Sequence, residues 1–330
     1  MQTIFTQLTT ILLLILGITP FLRAQSVSIT QIPFQNIRNL IYVEGQANSQ
    51  SGFFLVDTGY EGSLLLNSKH FSGKPTEQVI VGTNGEGSSL EVKVVDFHLG
   101  NIQTDDLVAY IADMTHLENS LGLPLVGLIG STFFQDFELM FDYTGKNMIL
   151  TRLDKRGKKL VSFLDEEPPT DSLSFVTKGH LPVFKARIGE VSLMLALDSG
   201  ASANLFHQGT LKKLEEHLSD LNELHMNGFG LESKKTTIGL LSQLQIQGLI
   251  LDPMQTLFSN LTHLNRELRG PMVDGILSLD YFGQRKVAFN FRKQVLYVWE
   301  DKPTDTSTET YMVQGRQATP ATDITTIAPE

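Results

Sequence analysis

Apolar residues in this chain fall mainly in short runs that are separated by polar turns. The segments 37–45 and 52–56 have the composition of successive strands joined by such a turn. In the segment 91–99, apolar and charged residues partly alternate, which is typical of a strand with one solvated face. The pattern predicts an all-β protein with only a few short helices.

One stretch has the spacing of an amphipathic helix. Thr210 is a suitable first residue for a helix. Leu211, Leu214, Leu218 and Leu221 follow at intervals that place them on one helical face. The spacing predicts a helix that packs on the outside of its domain.

Two apolar runs end in the same kind of triplet. Residues 53–59 read Phe-Phe-Leu-Val-Asp-Thr-Gly, and residues 193–200 read Leu-Met-Leu-Ala-Leu-Asp-Ser-Gly. A carboxylate at the end of a buried strand is costly unless a partner stabilises it. Because each half of the chain carries one, we expect Asp57 and Asp198 to meet, and two adjoining carboxyl groups that share a proton can activate water.

The residues after each triplet repeat as well. An aromatic pair lies 6 and 7 residues after Gly127 and again after Gly275. Asp142 and Asn290 each lie 15 residues after the same glycines. The offset between the halves is 141 to 148 residues, too long for a solenoid repeat. The chain is therefore predicted to be an internal duplication that forms two similar lobes.

Composition narrows the possible functions. The chain has 330 residues, of which 41% are hydrophobic and 19% charged, and its net charge is −10. It has no basic stripe, which argues against nucleic acid as a partner. It has no cysteine, which excludes disulfides, thiolate chemistry and Cys-zinc sites.

The domain organisation follows from these signals. Residues 1–24 resemble a cleaved signal peptide, with an uncleaved anchor as the alternative, so an exported, periplasmic or extracellular protein without a membrane partner is expected. The two lobes are predicted at 25–153 and 172–300, joined by a solvated linker at 154–171. Residues 301–330 are rich in Thr and Pro and predict a disordered tail.

Taken together, these motifs resemble the aspartic proteases over most of residues 27–300. The segment 197–206 matches the catalytic loop of that family best. The single-chain, two-lobed arrangement is similar to pepsin, and lobe size and loop pattern are closer to the retropepsins. The resemblance implies an acid-protease fold of two β-barrel-like lobes related by a pseudo-twofold axis. It also implies that Asp57 and Asp198 are the catalytic pair, and that the loops are supported by Thr58, Gly59, Ser199 and Gly200. The leader-like N-terminus and the lack of cysteine favour a bacterial, exported enzyme.

The resemblance also implies hairpins, or flaps, that close over a substrate. The glycine-rich segment 81–87, with Gly85 and Gly87, lies at a suitable distance after the first triplet. Gly228, Phe229 and Gly230 lie at a similar distance after the second. The alternative for both is a plain hairpin turn.

The implied reaction is hydrolysis of a peptide bond in a peptide or protein substrate by a water activated between the two aspartates. It needs no cofactor and no metal, a monomer suffices although a dimer is left open, and an optimum below neutral pH is expected. Three positions depart from the family pattern. These are Tyr60 and Glu61 after the first triplet, and Ser278 where the first half has glycine.

Two other functions compete with this one. A peptide-binding module could keep the acid-protease fold with little or no catalysis. A serine hydrolase could use Ser63, Ser199 or Ser202, but the chain has no Gly-x-Ser-x-Gly elbow and its histidines are scattered.

Overall fold

The computed structural model describes residues 28–81, 87–161, 167–227, 233–267, 272–282 and 285–300. All of them belong to one compact unit, Met1–Glu300. The predicted signal peptide and C-terminal tail lie outside the described residues and stay predictions.

Twenty-three strands make up most of the described chain. Those of the first half are β1 Ile29–Ile37, β2 Leu40–Ala47, β3 Gln50–Asp57, β4 Leu64–Asn67, β5 Lys74–Val81, β6 Gly87–Leu99, β7 Ile102–Ala112, β8 Leu125–Gly130, β9 Phe137–Asp142 and β10 Asn147–Arg152. Those of the second half are β11 Asp171–Ser174, β12 Val176–Lys178, β13 Leu181–Ile188, β14 Val191–Asp198, β15 Asn204–His207, β16 Leu218–Asn227, β17 Ser233–Leu241, β18 Leu244–Ile246, β19 Leu249–Ile250, β20 Met254–Ser259, β21 Gly275–Ser278, β22 Lys286–Asn290 and β23 Val295–Trp299.

The helices in the described part of the chain are short. They are α1 Thr115–Leu121, α2 Ser131–Phe134, α3 Leu211–Leu214 and α4 Thr262–Glu267, with 3₁₀ turns at Gln208–Thr210, Glu215–His217 and Leu279–Phe282. None of these helices has the length and apolarity needed to cross a bilayer.

The two halves repeat the same strand pairings. The strand that ends at each aspartate pairs in parallel with a later strand, β3 with β8 and β14 with β21. The later strand has an antiparallel neighbour on its other edge, which is β4 for β8 and β15 for β21. Strand β4 then pairs in parallel with β7, and β15 pairs in parallel with β20. The predicted fold is confirmed: the protein is all-β and is built from two similar β-barrel-like lobes.

A shared antiparallel sheet joins the lobes in the order β1-β10-β9-β22-β23-β11. Its centre is the pairing of β9 with β22, in which Phe141 faces Val287 and Leu139 faces Phe289. All four side chains are buried, so this seam continues the apolar core from one lobe into the other.

Asp142 and Asn290, the repeated polar residues of the sequence pattern, have equivalent roles in this sheet. Asp142 accepts a hydrogen bond from the N–H of Gly145 at 2.9 Å, and Asn290 accepts one from the N–H of Lys293 at 3.1 Å. Each therefore closes the hairpin turn that follows its strand.

The predicted linker at 154–171 is attached to this sheet at both ends. Lys159 forms an ion pair with the buried Glu138 at 2.9 Å, and the N–H of Thr170 donates to the carbonyl of Val298. Residues 162–166 lie outside the described residues.

The helix expected after Thr210 is shorter than its leucine spacing predicts. Helical geometry ends at His217, and Leu218 and Leu221 belong to strand β16. Strand β16 pairs with β17, which in turn pairs with β20 of the lobe. This part of the prediction is wrong, because ladder hydrogen bonds to the lobe outweigh a local preference that leaves Leu221 47% exposed.

The predicted flaps fall on two equivalent hairpins. One is formed by β5 and β6, which pair up to Val81 and Gly87, and the other by β16 and β17, which pair up to Asn227 and Ser233. Gly85, Gly228, Phe229 and Gly230 lie outside the described residues. That these hairpins close over a substrate stays a prediction.

Candidate active site

Asp57 and Asp198 each follow the most buried part of a strand. Val56 and Leu197 have no exposed surface, whereas both aspartates are half-buried. The two strands occupy equivalent places, since Asp57 pairs in register with Gly130 and Asp198 with Ser278. The carboxyl groups therefore stand at the edge of each lobe's core, where they face the opposite lobe.

Reciprocal hydrogen bonds lock the two loops together. The N–H of Thr58 donates to Ser199 Oγ at 3.0 Å, and the N–H of Ser199 donates to Thr58 Oγ1 at 3.0 Å. Ser199 Oγ in turn donates to the carbonyl of Val56 at 2.8 Å. Thr58 and Ser199 are almost fully buried. The Ser199 hydroxyl is therefore committed to the contact between the loops and is not available as a nucleophile.

The glycines of the triplets permit the close approach of the loops. A Cβ atom on Gly59 would lie closer than 3.0 Å to the carboxyl of Asp198, and one on Gly200 would lie as close to the carboxyl of Asp57. Each glycine thus sits directly against the carboxyl group of the other lobe. A side chain at either position would push the loops apart.

The two carboxyl groups lie close enough for each to perturb the pKa of the other. Burial raises the pKa of Asp57 well above its ordinary value, and the neighbouring charge of Asp198 raises it further. Burial also raises the pKa of Asp198, but hydrogen bonds from the N–H groups of Gly200 and Gly59 and the nearby His180 oppose that rise. Both shifts favour a pair that keeps one proton between its two carboxyl groups.

Backbone N–H groups orient the pair. Gly59 donates to Asp57 Oδ1 at 2.9 Å, and Gly200 donates to Asp198 Oδ1 at 2.7 Å. The two bonds are equivalent in the duplication. They leave the other oxygens of the pair free to face each other and the cleft.

The three departures from the family pattern have different surroundings. The Tyr60 ring folds over Gly62 and Gly130 and fills the space beside Asp57. The Glu61 side chain is 78% exposed and points toward His180, with 3.9 Å between Oε2 and Nδ1. Ser278 is buried, and its N–H donates to Asn204 Oδ1 at 3.0 Å.

Apolar clusters adjoin both catalytic loops, and they differ in character. Tyr60 packs against a cluster in the first lobe that includes Tyr42 and Leu128, with Phe53 and Tyr110 at its edge. In the second lobe Ala201, Met194 and Leu264 pack against a cluster of Leu181, Val183, Ala196, Val273 and Ile276. The first cluster carries aromatic rings beside its leucines, whereas the second is aliphatic.

His180 is a residue of the site that the sequence did not single out. Its Nε2 atom lies 2.6 Å from the carbonyl oxygen of Gly59, 121 residues away in the chain. The available signal was its position: Gly179 and His180 connect β12 to β13, as Arg38 and Asn39 connect β1 to β2. Within the described ranges, no cluster of three or more His, Asp or Glu side chains could hold a metal ion.

No family model and no curated protein matches the chain. A solved structure to which it is similar is that of the basic 7S globulin from soybean. The TM-score is 0.48 and the sequence identity 10%, over 82% of this chain and 94% of the globulin. The likeness is one of fold.

The predicted membership of a bacterial, exported aspartic protease family is therefore corrected. No family model and no curated protein supports that assignment. Short triplets and their spacing are dictated by the fold, and one fold serves many functions. What stands is the acid-protease fold and the geometry of the paired carboxyl groups.

Proposed function

We propose that this protein binds an extended peptide between its lobes and hydrolyses a peptide bond through Asp57 and Asp198. The observation that carries the proposal is the close approach of the two loops, in which each triplet glycine lies against the carboxyl group of the other lobe. No family model and no curated protein matches the chain, so the proposal depends on this geometry.

The reaction assigned to the pair is general acid–base catalysis. The Asp198 carboxylate removes a proton from a water molecule, whose oxygen attacks the carbonyl carbon of the substrate. Asp57 gives its proton to the carbonyl oxygen, which produces a tetrahedral diol. The proton on Asp198 then passes to the leaving nitrogen as the carbon–nitrogen bond breaks, and Asp57 recovers its proton from the diol.

The adjoining clusters support a preference in the substrate. An apolar cluster adjoins each of the two catalytic loops. We therefore expect apolar residues on both sides of the cleaved bond. Burial of a large apolar side chain contributes about 1.5–3 kcal/mol.

A second candidate is a peptide-binding module with little or no turnover. Tyr60 is the observation that favours it, because a bulky ring directly follows the first triplet and lies against Gly130, the register partner of Asp57. A globulin's name is also in keeping with a function other than catalysis.

A peptide library separates the two candidates. The chain is incubated with mixed peptides from pH 3 to pH 7, with and without pepstatin, beside Asp57→Asn and Asp198→Asn variants whose melting curves show that they fold. Cleavage that pepstatin and both substitutions abolish supports the first candidate. Cleavage that survives in Asp198→Asn refutes the assigned pair. Peptide binding without cleavage replaces the first candidate with the second.

A further inference from the structure

The imidazole ring of His180 contacts the first catalytic loop. It lies on the turn between β12 and β13, and its side chain is 16% exposed. Because the Gly59 carbonyl oxygen can only accept a hydrogen bond, Nε2 carries the hydrogen in the 2.6 Å contact. Nδ1 is then the atom that gains or loses a proton, and it faces the Glu61 carboxylate at 3.9 Å.

The same crossing contact exists on the other side of the pseudo-twofold axis. Asn39, on the turn between β1 and β2, donates from Nδ2 to the carbonyl of Ser202 at 3.2 Å. Each hairpin therefore reaches over to the catalytic loop of the opposite lobe. The first lobe uses an amide that never carries charge, whereas the second uses an imidazole, which can carry a positive charge.

This asymmetry bears on the two carboxyl groups. Gly59, which His180 holds by its carbonyl, donates its N–H to Asp57 Oδ1. The positive charge of His180 also lowers the pKa of Asp198. The imidazole thus fixes the loop that carries Asp57 and favours the ionised form of Asp198.

Other charged groups surround the ring. Glu61 faces it from the first catalytic loop, and Asp198 interacts with it from the second. Arg292 shares a polar cavity of about 340 Å³ with His180, and its charge is compensated by an ion pair with Asp136. Lys178 is buried two residues before His180 on the same hairpin. The cavity is large enough for several water molecules. The ring therefore borders both the catalytic loop and a space from which water can supply a proton.

We propose that His180 is a positioning residue whose proton, when present, holds Asp198 as the carboxylate and leaves the shared proton on Asp57. The inference rests on the proposed function in that it concerns the same carboxyl pair. It adds a residue outside the triplets that sets the division of roles between the two aspartates at acid pH.

The test compares two substitutions of His180 with a matched change at Asn39. His180→Gln keeps a donor for the Gly59 carbonyl but removes the charge, and His180→Ala removes both. Asn39→Ala removes the equivalent crossing contact without a change of charge. The first readout is the pH titration of the Asp57 and Asp198 carboxyl carbons by NMR in chains labelled at aspartate, assigned with the Asp→Asn variants. It requires no turnover.

We expect His180→Gln to melt like the parent and to raise the pKa of Asp198, while Asn39→Ala leaves that titration in place. For a peptide that is cleaved, kcat/KM of His180→Gln at the acid limb falls about three- to tenfold, because an opposite charge within a few ångströms has been removed. High salt should reduce the difference. His180→Ala should show the same shift and a lower melting temperature.

Identical carboxyl titrations in the parent and in His180→Gln would overturn the inference, whether or not any peptide is cleaved. A loss of activity that is uniform across pH, with unchanged titrations, would also overturn it and leave only a structural role. If no peptide is cleaved but the titrations differ as expected, the proposed function fails and the role of His180 in the carboxyl pair stands.

Discussion

Removal of one hydroxyl at the junction of the catalytic loops tests the packing of this site. Ser199→Ala deletes the Oγ atom that accepts from the N–H of Thr58 and donates to the carbonyl of Val56. Ser199 is 1% exposed, so water cannot replace these bonds in the intact loop. An unsatisfied buried polar group costs about 1–3 kcal/mol, and two of them are left, so we expect a loss of about 2–4 kcal/mol in the free energy of unfolding.

Urea unfolding followed by tryptophan fluorescence measures this loss. Trp299 is the single tryptophan of the chain and lies at the end of β23 in the shared sheet, where its indole N–H donates to the carbonyl of Glu167 at 2.9 Å. With a slope of about 3 kcal/mol/M, the midpoint should fall by about 1 M. A loss below about 0.5 kcal/mol would refute the reasoning, because the reciprocal bonds would then not hold the loops.

Thr58→Ser is the matched control. It keeps the oxygen that accepts from the N–H of Ser199 and removes one methyl group, which costs about 0.8 kcal/mol. The double variant of Thr58→Val with Ser199→Ala should show a coupling energy of about 0.5–3 kcal/mol, because the two hydroxyls serve one junction. Strict additivity would indicate that each loop is held independently.

Three further predictions concern the same region and the shared sheet. Gly200→Ala should abolish peptide cleavage and cost about 1–3 kcal/mol in thermal unfolding, since its Cβ would meet the carboxyl of Asp57; parental activity would contradict the close approach. Because the pKa of Asp57 is raised by burial, the folded chain binds this proton more tightly than the unfolded chain, and stability falls as pH rises from about 4 toward the folded pKa. Relative to the parent chain, Asp57→Asn should therefore gain more stability at pH 7 than at pH 4 in calorimetry. An equal change at both pH values would count against the raised pKa of Asp57. Lys159→Met should cost about 3–5 kcal/mol in urea unfolding by leaving the buried Glu138 carboxylate without its cation, whereas Lys155→Met, an exposed change, should be neutral.

The local sequence pattern was sufficient to predict the strands and to show which segments of the two halves correspond. Apolar runs that end in Asp-Thr-Gly and Asp-Ser-Gly define both the end of a buried strand and a tight loop, so β3 and β14 are readable without a structure. The repeated spacing after Gly127 and Gly275 places β8 and β21 in the same way. Because both halves obey one pattern, two similar lobes followed from the sequence.

Contacts between distant segments were not readable from local pattern. The leucines at 218 and 221 have helical spacing, and only the ladder with β17 makes that segment a strand. The pairing of β9 with β22 joins residues more than 140 positions apart, and loop-closure entropy gives no local signal of it.

The sequence by itself determined an all-β, duplicated chain with one acidic loop in each half. Only the tertiary structure decided that burial raises the pKa of Asp57, that Ser199 is committed to the loop junction, and that His180 meets Gly59. The physical reason is that strand formation depends on near neighbours along the chain. Burial, charge and hydrogen-bond partners at the site depend on the opposite lobe.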